Sequence, residues 1–144
     1  HWKAALVEYR ACLKTFEQHG DRQGMAKSRH QIGTVYQLQG DWEAALSEYR
    51  ASLEIKEQIG DRQGMATTHS QLGLLYREKQ EYSEALRHSL VALQVFSEIG
   101  DPRVKVILSH LVTYRQEWGA EVFDRAWREM TEQEVPEELR KDKG

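Results

Sequence analysis

Only two of the 144 residues are proline and one is cysteine, and neither sign of charge dominates: 20 Lys and Arg stand against 23 Asp and Glu, a formal net charge of −3. Each shortage closes off a class of protein. So few prolines do not supply the many turns of an all-β sandwich. A lone cysteine makes no internal disulfide, so nothing in the chain requires an oxidising compartment. Without clustered positive charge there is little to displace counterions from phosphates, which argues against a nucleic-acid partner. No apolar run approaches the roughly 20 residues that cross a bilayer, and the opening HWKAALVEYR lacks the continuous apolar core of a secretory leader. No membrane partner is expected. That opening reads as the inside of a helix with no initiating Met, so the expectation is a fragment of a longer protein. With 40% hydrophobic residues the chain is too apolar for disorder. A helical, cytoplasmic protein is the first description.

What the chain has in abundance is itself. Trp2 recurs as Trp42 and as Tyr82, and the seven residues GDRQGMA occur at 20–26 and again at 60–66. Each 40-residue unit divides into two helices. Trp42, Ala45, Leu46, Tyr49 and Leu53 lie on one face of a helix; Trp2, Ala5, Leu6, Tyr9 and Leu13 repeat that face, as do Tyr82, Ala85, Leu86, Ser89 and Leu93. Met25, Ile32, Val35 and Tyr36 make a narrower stripe, repeated by Met65, Leu72, Leu75 and Tyr76. Gly20, Gly60 and Gly100 follow apolar stripes, where a left-handed residue closes a helix at no steric cost. Each is followed by Asp (Asp21, Asp61, Asp101), a preferred N-cap, and Pro102 falls where the first helical residue would be. The expected map is a lone helix at 1–19, pairs at 22–59 and 62–99, a degenerate or capping pair at 102–132, and a frayed polar tail at 133–144.

These residues resemble the tetratricopeptide repeat. Ile32-Gly33, Tyr36, Gly40, Ala45, Tyr49 and Ser52 match its pattern, and Leu72-Gly73, Tyr76, Gln80, Ala85, Ser89 and Ala92 form the next copy. The period of 40 exceeds the usual 34. That long form is similar to repeats of G-protein-modulator scaffolds, peptide-sensing bacterial regulators and sensor arms of bacterial signalling ATPases. The resemblance implies an all-α, right-handed α-solenoid of antiparallel helix pairs, whose concave wall is lined by the first helix of each pair. The inward positions it implies are Lys27, His30, Thr34 and Gln37, then Thr67, Ser70, Leu74 and Arg77, then Ile107, His110 and Tyr114. Such a wall of polar, basic and apolar groups suits a protein or peptide ligand laid in the groove, although a solvated inner face of a plain scaffold explains it too. The Lys and Asn that clamp a C-terminal carboxylate in some family members are absent at these positions.

The remaining polar residues have structural explanations. His30 and His110 sit two repeats apart, too far to share a metal, and no metal or other cofactor is expected. Arg29 and His30 suit an acidic ligand or simply an exposed helix face. Cys12 matches Ser52 and Ala92, small packed positions, so it reads as a buried thiol with no His to activate it. The carboxylates are spread over exposed faces, often i,i+4 from a basic residue, which supports helices, and no pair is set apart as a general acid and base. GDRQG follows a helix and lacks the Lys-Ser/Thr of a nucleotide loop. No enzyme is expected. Arg22/Arg62 and Gln23/Gln63 read either as a polar ridge or as mere duplication of a cap and turn. Trp2, Leu6, Tyr9 and Leu13 read as an open packing face that would drive self-association, and so a homodimer. The function expected is a non-catalytic protein–protein interaction scaffold; a peptide-sensing arm of a regulator or signalling ATPase, and a purely structural spacer, are the alternatives.

Overall fold

The computed structural model describes residues 1–141, and the regular elements among them are all α-helices: α1 (Trp2–His19), α2 (Arg22–Leu38), α3 (Trp42–Ile59), α4 (Arg62–Glu78), α5 (Tyr82–Glu98), α6 (Val104–Trp118), α7 (Ala120–Thr131) and the single turn α8 (Glu137–Arg140). Short connections force each helix back along its predecessor, and the chain stacks as a helical solenoid. Helices α2 with α3, and α4 with α5, are the pairs; α1 stands as a second helix before them. The buried residues fall into two clusters, Leu6, Leu13, Ile32 and Val35 at one end and a longer run from Ala45 to Leu139. There is no single centre, as stacked repeats require.

The helix ends form as their residues demand. Gly20 and Gly60 close α1 and α3 at φ +67° and +72°, and the next residue caps the following helix: the carboxylates of Asp21 and Asp61 accept the N–H of Gly24 and Gly64, each at 2.9 Å. Gln80, at φ +61°, takes the left-handed place that Gly40 holds one repeat earlier. The third junction departs from expectation, since α6 begins at Val104 and Pro102 stands outside it. Asp101 accepts the N–H of Arg103 at 2.9 Å, and the Arg103 guanidinium folds back onto the same carboxylate at 2.8 Å. That local turn delays the helix by two residues.

Within each pair the helices meet at a glycine. A Cβ on Gly33 would stand 2.9 Å from the Tyr49 ring, so the absence of one lets the ring lie on the α2 backbone. Gly73 is the equivalent in the next pair, but Ser89 stands there in place of a tyrosine. The volume is supplied from α6: the Tyr114 hydroxyl lies 3.3 Å from Ser89 Oγ, and Tyr114 is 0% exposed. Tyr114 therefore leaves the inner wall on which the repeat pattern had placed it, and Ile107 is buried with it. A neighbour's missing ring draws Tyr114 inward.

Three further expectations are corrected. Leu6 and Leu13 are buried against Ile32 and Val35 of α2, so the open face of α1 consists of other residues. Cys12 is exposed, because no described helix lies on the side where α2 covers Ser52 and α4 covers Ala92. The expected fraying at 133–144 does not hold for the described part: Val135 and Leu139 are buried and close the end of the longer core. Residues 142–144 lie outside the described residues.

One buried residue breaks the repeat's chemistry. Phe16 and Phe96 are forty residues on either side of Lys56, whose side chain is 7% exposed and donates to Thr68 Oγ1 at 2.8 Å. Burial holds its ammonium below the usual lysine range. Replacing Lys56→Met should raise stability by about 1–2 kcal/mol, because the desolvated charge disappears while Thr68 keeps His30 as a partner. Gly33→Leu should lower it by about 2–3 kcal/mol through overpacking against Tyr49. Urea unfolding at pH 7.5 measures both; equal and small effects would contradict this packing.

Candidate functional site

The inner positions of α2 and α4 are mostly engaged with protein. His30 packs on the Tyr49 ring at 5.2 Å between centroids, and its Nδ1 accepts from Thr68 Oγ1 at 3.2 Å. Burial, then the nearby Lys56 charge, pushes its pKa down to about 4, so the ring is neutral at physiological pH. Thr34 and Gln37 receive the Tyr49 hydroxyl, at 3.2 and 2.7 Å, and Gln37 Nε2 continues to Glu78 at 3.0 Å. Arg77 is held in a two-pronged pair with Glu117, at 2.9 and 2.7 Å, and Tyr82 donates to the same carboxylate at 3.1 Å. Lys27 is exposed; Thr67, Ser70 and Leu74 are half-buried.

The contacts of Tyr49 stay within one pair, whereas those of Gln37 with Glu78 and of Arg77 with Glu117 tie one repeat to the next. Trp42 Nε1 donates to Glu78 at 3.2 Å as Tyr82 does to Glu117, one repeat apart. The duplicated arginines behave likewise: Arg22 bonds Gln58 and Arg62 bonds Glu98, while Gln63 reaches Asp101 at 3.2 Å. Arg22, Arg62 and Gln63 thus hold the start of one helix to the end of the next. Ion pairs join neighbouring helices, as with Arg115 and Asp124 at 2.9 Å, more often than residues of one helix, as with Glu84 and Arg87 at 3.5 Å.

Between α4 and α6 the wall opens. A cleft of about 140 Å³ is lined by Thr67, Ser70 and Gln71 on one side, and by Arg103, Val106 and Ile107 on the other, with Phe96 at its floor. Val106 is 50% exposed, a large apolar side chain beside polar groups. One turn further along α6, the Nδ1 of His110 is buried without a hydrogen-bond partner, and burial holds that ring's pKa low. Thr67, Ser70, Gln71, Ile107 and His110 were expected on this wall; Arg103 and Val106 were not. Their signal was weak because α6 follows its own phase, so positions carried over from the earlier repeats point elsewhere. A larger groove, about 1110 Å³, separates the second helices α5 and α7 and includes Leu90, Val91, Trp127 and Met130.

The second pair also carries a histidine couple. His69 and His88 stand where Arg29 and Glu48 form an ion pair at 3.2 Å one repeat earlier. Their Nδ1 atoms are 3.0 Å apart and their rings stack, with Tyr76 parallel to His88 at 5.4 Å. One nitrogen must donate and the other accept, so the contact requires at least one neutral ring. Burial, reinforced by His88, takes His69 down to about 4, and burial lowers His88 as well. Among the described residues no group of three or more His, Cys, Asp or Glu is arranged to hold a metal ion, and no helix is long and apolar enough to cross a membrane.

Comparison with known proteins points to one architecture. The family model described as tetratricopeptide repeat matches residues 24–98, more than half of the chain. No curated protein sequence matches. Among solved structures, the chain is similar to BtubC (BKLC) from P. vanneervenii, at 17% identity and a TM-score of 0.76, with 91% of this chain and 56% of that one covered. It is also similar to the apo form of RapI, at 20% identity and a TM-score of 0.73, with 94% and 39% covered. At those identities the likeness concerns the fold, and the chain spans about half of one protein and two fifths of the other.

The histidines give the pH dependence a definite sign. His30 and His69 have folded-state pKa values near 4 against an ordinary 6.5, so the folded chain binds fewer protons than the unfolded chain between those values. Stability is therefore full above about pH 6.5 and declines as pH falls toward 4, by on the order of 2 kcal/mol at pH 5 after allowance for screening. Urea midpoints from pH 7.5 to 5 measure it. The double substitution His69→Arg with His88→Glu, which restores the earlier repeat's ion pair, should flatten the slope; an unchanged slope would contradict the assignment to this couple.

Proposed function

The chain belongs to the tetratricopeptide-repeat family, and from that premise we propose that it is a non-catalytic protein–protein interaction module whose ligand sits on the inner wall at the α4–α6 cleft. The observation that carries this reading is the contrast along the wall. Around α2 the inner side chains are spent on ties to neighbouring helices. At α4 and α6 an exposed Val106 and a half-buried Leu74 accompany the hydroxyls of Thr67 and Ser70 and the amide of Gln71. An extended peptide presents alternating side chains and backbone N–H and C=O groups; one side chain fills a cleft of this size while Gln71 meets the backbone. Lys27, exposed on the same wall one repeat earlier, favours an acidic segment over a basic one, whereas Arg103 is taken up by Asp101. Arg77, committed to Glu117, is left out of this site.

Position-specific photocrosslinking tests the reading. A benzophenone side chain at Ser70 should capture a protein segment in cell extract, and Val106→Asp in the same background should reduce the yield by roughly tenfold, the equivalent of about 1.4 kcal/mol. The same probe at Val91, in the α5–α7 groove, should capture little. Capture at Val91 that equals or exceeds capture at Ser70 would overturn the proposal.

A further inference from the structure

We propose that His69 and His88 form a two-imidazole site for a divalent transition-metal ion of the copper and nickel class, set between α4 and α5. One repeat earlier the same two positions hold Arg29 and Glu48, whose ion pair at 3.2 Å joins α2 to α3. The second copy has no opposite charges to attract one another, yet its two side chains still meet nitrogen to nitrogen, Nδ1 standing 3.0 Å from Nδ1. A neutral imidazole offers one lone pair. Two such lone pairs converging from separate helices are what a chelated transition-metal ion requires. The rings are also fixed in place: Tyr76 lies parallel to His88 at 5.4 Å, and His69 stacks on His88 at 5.2 Å.

The spacing selects the ion. With metal–nitrogen bonds of about 2.0–2.1 Å, nitrogens 3.0 Å apart subtend roughly 95° at the metal. That is close to the angle between adjacent ligands in the tetragonal sites of Cu(II) and Ni(II). A tetrahedral zinc ion would need the nitrogens about 3.3–3.4 Å apart. Two protein ligands leave the remaining positions to water, which the half-burial of both side chains allows. On the opposite edge of the His88 ring, Glu84 Oε2 stands 3.9 Å from Nε2. A carboxylate there favours the Nε2–H tautomer and leaves Nδ1 free to ligate. The neighbouring cations are engaged elsewhere, Arg87 with Glu84 at 3.5 Å and Arg50 with the Tyr76 hydroxyl at 3.2 Å. An ion held by this couple ties α4 to α5 as the Arg29–Glu48 pair ties α2 to α3.

Calorimetric titration of the intact chain with Ni²⁺ at pH 7.5 tests the proposal. The expected result is a site that His69→Gln or His88→Gln each weakens by about 100-fold, because chelation falls to single-point binding. Glu84→Gln weakens it by about tenfold, and His110→Gln leaves it as it was. The heat carries a second signature. With both rings neutral, the proton held between the two Nδ1 atoms moves to the Nε2 of the ring that carried it, so binding releases no net proton. The heat is then the same in buffers of different ionisation enthalpy, whereas an ion taken by the terminal amine or by Cys12 displaces protons. The double substitution His69→Arg with His88→Glu keeps a paired contact between α4 and α5 and abolishes the site, which separates loss of ligands from loss of fold. Ni²⁺ affinity unchanged in either single variant would overturn the proposal. So would a heat that follows the buffer's ionisation enthalpy, or the absence of binding at millimolar Ni²⁺.

Discussion

The stack depends on bringing two helix backbones close enough for one aromatic ring to bridge them at a glycine. Where α2 crosses α3, Gly33 admits the Tyr49 ring, and the ring carries a hydroxyl through the core to Thr34 and Gln37 at the inner edge. A single side chain thereby joins hydrophobic packing to the order of the inner wall. In the next pair Ser89 leaves that slot short of a ring, and Tyr114 of α6 fills it from the following repeat. The consequences spread from there. Helix α6 turns Tyr114 and Ile107 inward, Val106 is left half exposed, and the wall opens at the α4–α6 cleft. The proposed binding region follows from one absent tyrosine.

Polar groups divide between holding the solenoid together and remaining available. The mild net charge of −3 is an average over ties such as Arg77–Glu117 and Arg29–Glu48, which fix neighbouring helices at partly exposed sites and contribute modestly each. Groups drawn further into the stack act differently. Lys56 and Thr68 stand beside His30 in a small hydrogen-bonded network, the threonine accepting from the lysine and, with the imidazole neutral, donating to it. His69 and His88 replace an ion pair by a contact that tolerates only a neutral ring. The family's apolar framework thus accommodates titratable groups at equivalent positions, and acid sensitivity is the result.

The repeat and the helix boundaries of α2 to α5 were readable from sequence, because they are set by local rules: apolar spacing, glycine after each stripe, aspartate at each cap. What escaped was set by neighbours. The burial of Tyr114 depends on Ser89, twenty-five residues earlier, and no helical periodicity within α6 announces it. Cys12 is exposed because no described helix lies over its side, although its residue class and position matched buried sites. Pro102 suggested a helix start that the Asp101–Arg103 turn postpones. Of the residues lining the cleft, Thr67, Ser70 and Ile107 stand at positions the register named, whereas Val106 and Arg103 needed the actual phase of α6. The paired role of Arg77 required the third dimension as well.

The most direct test of this account is a double-mutant cycle on the aromatic slot at Gly73. Ser89→Tyr alone places two rings where one fits, and Tyr114→Ser alone leaves a cavity, so each should lower stability by about 2–4 kcal/mol in urea unfolding. Together they recreate the arrangement of Gly33 with Tyr49, and the double variant should recover most of the loss, a coupling of about 2 kcal/mol or more. Strictly additive losses would show that the two residues fill separate spaces, and would contradict the claim that one ring per crossing organises the stack.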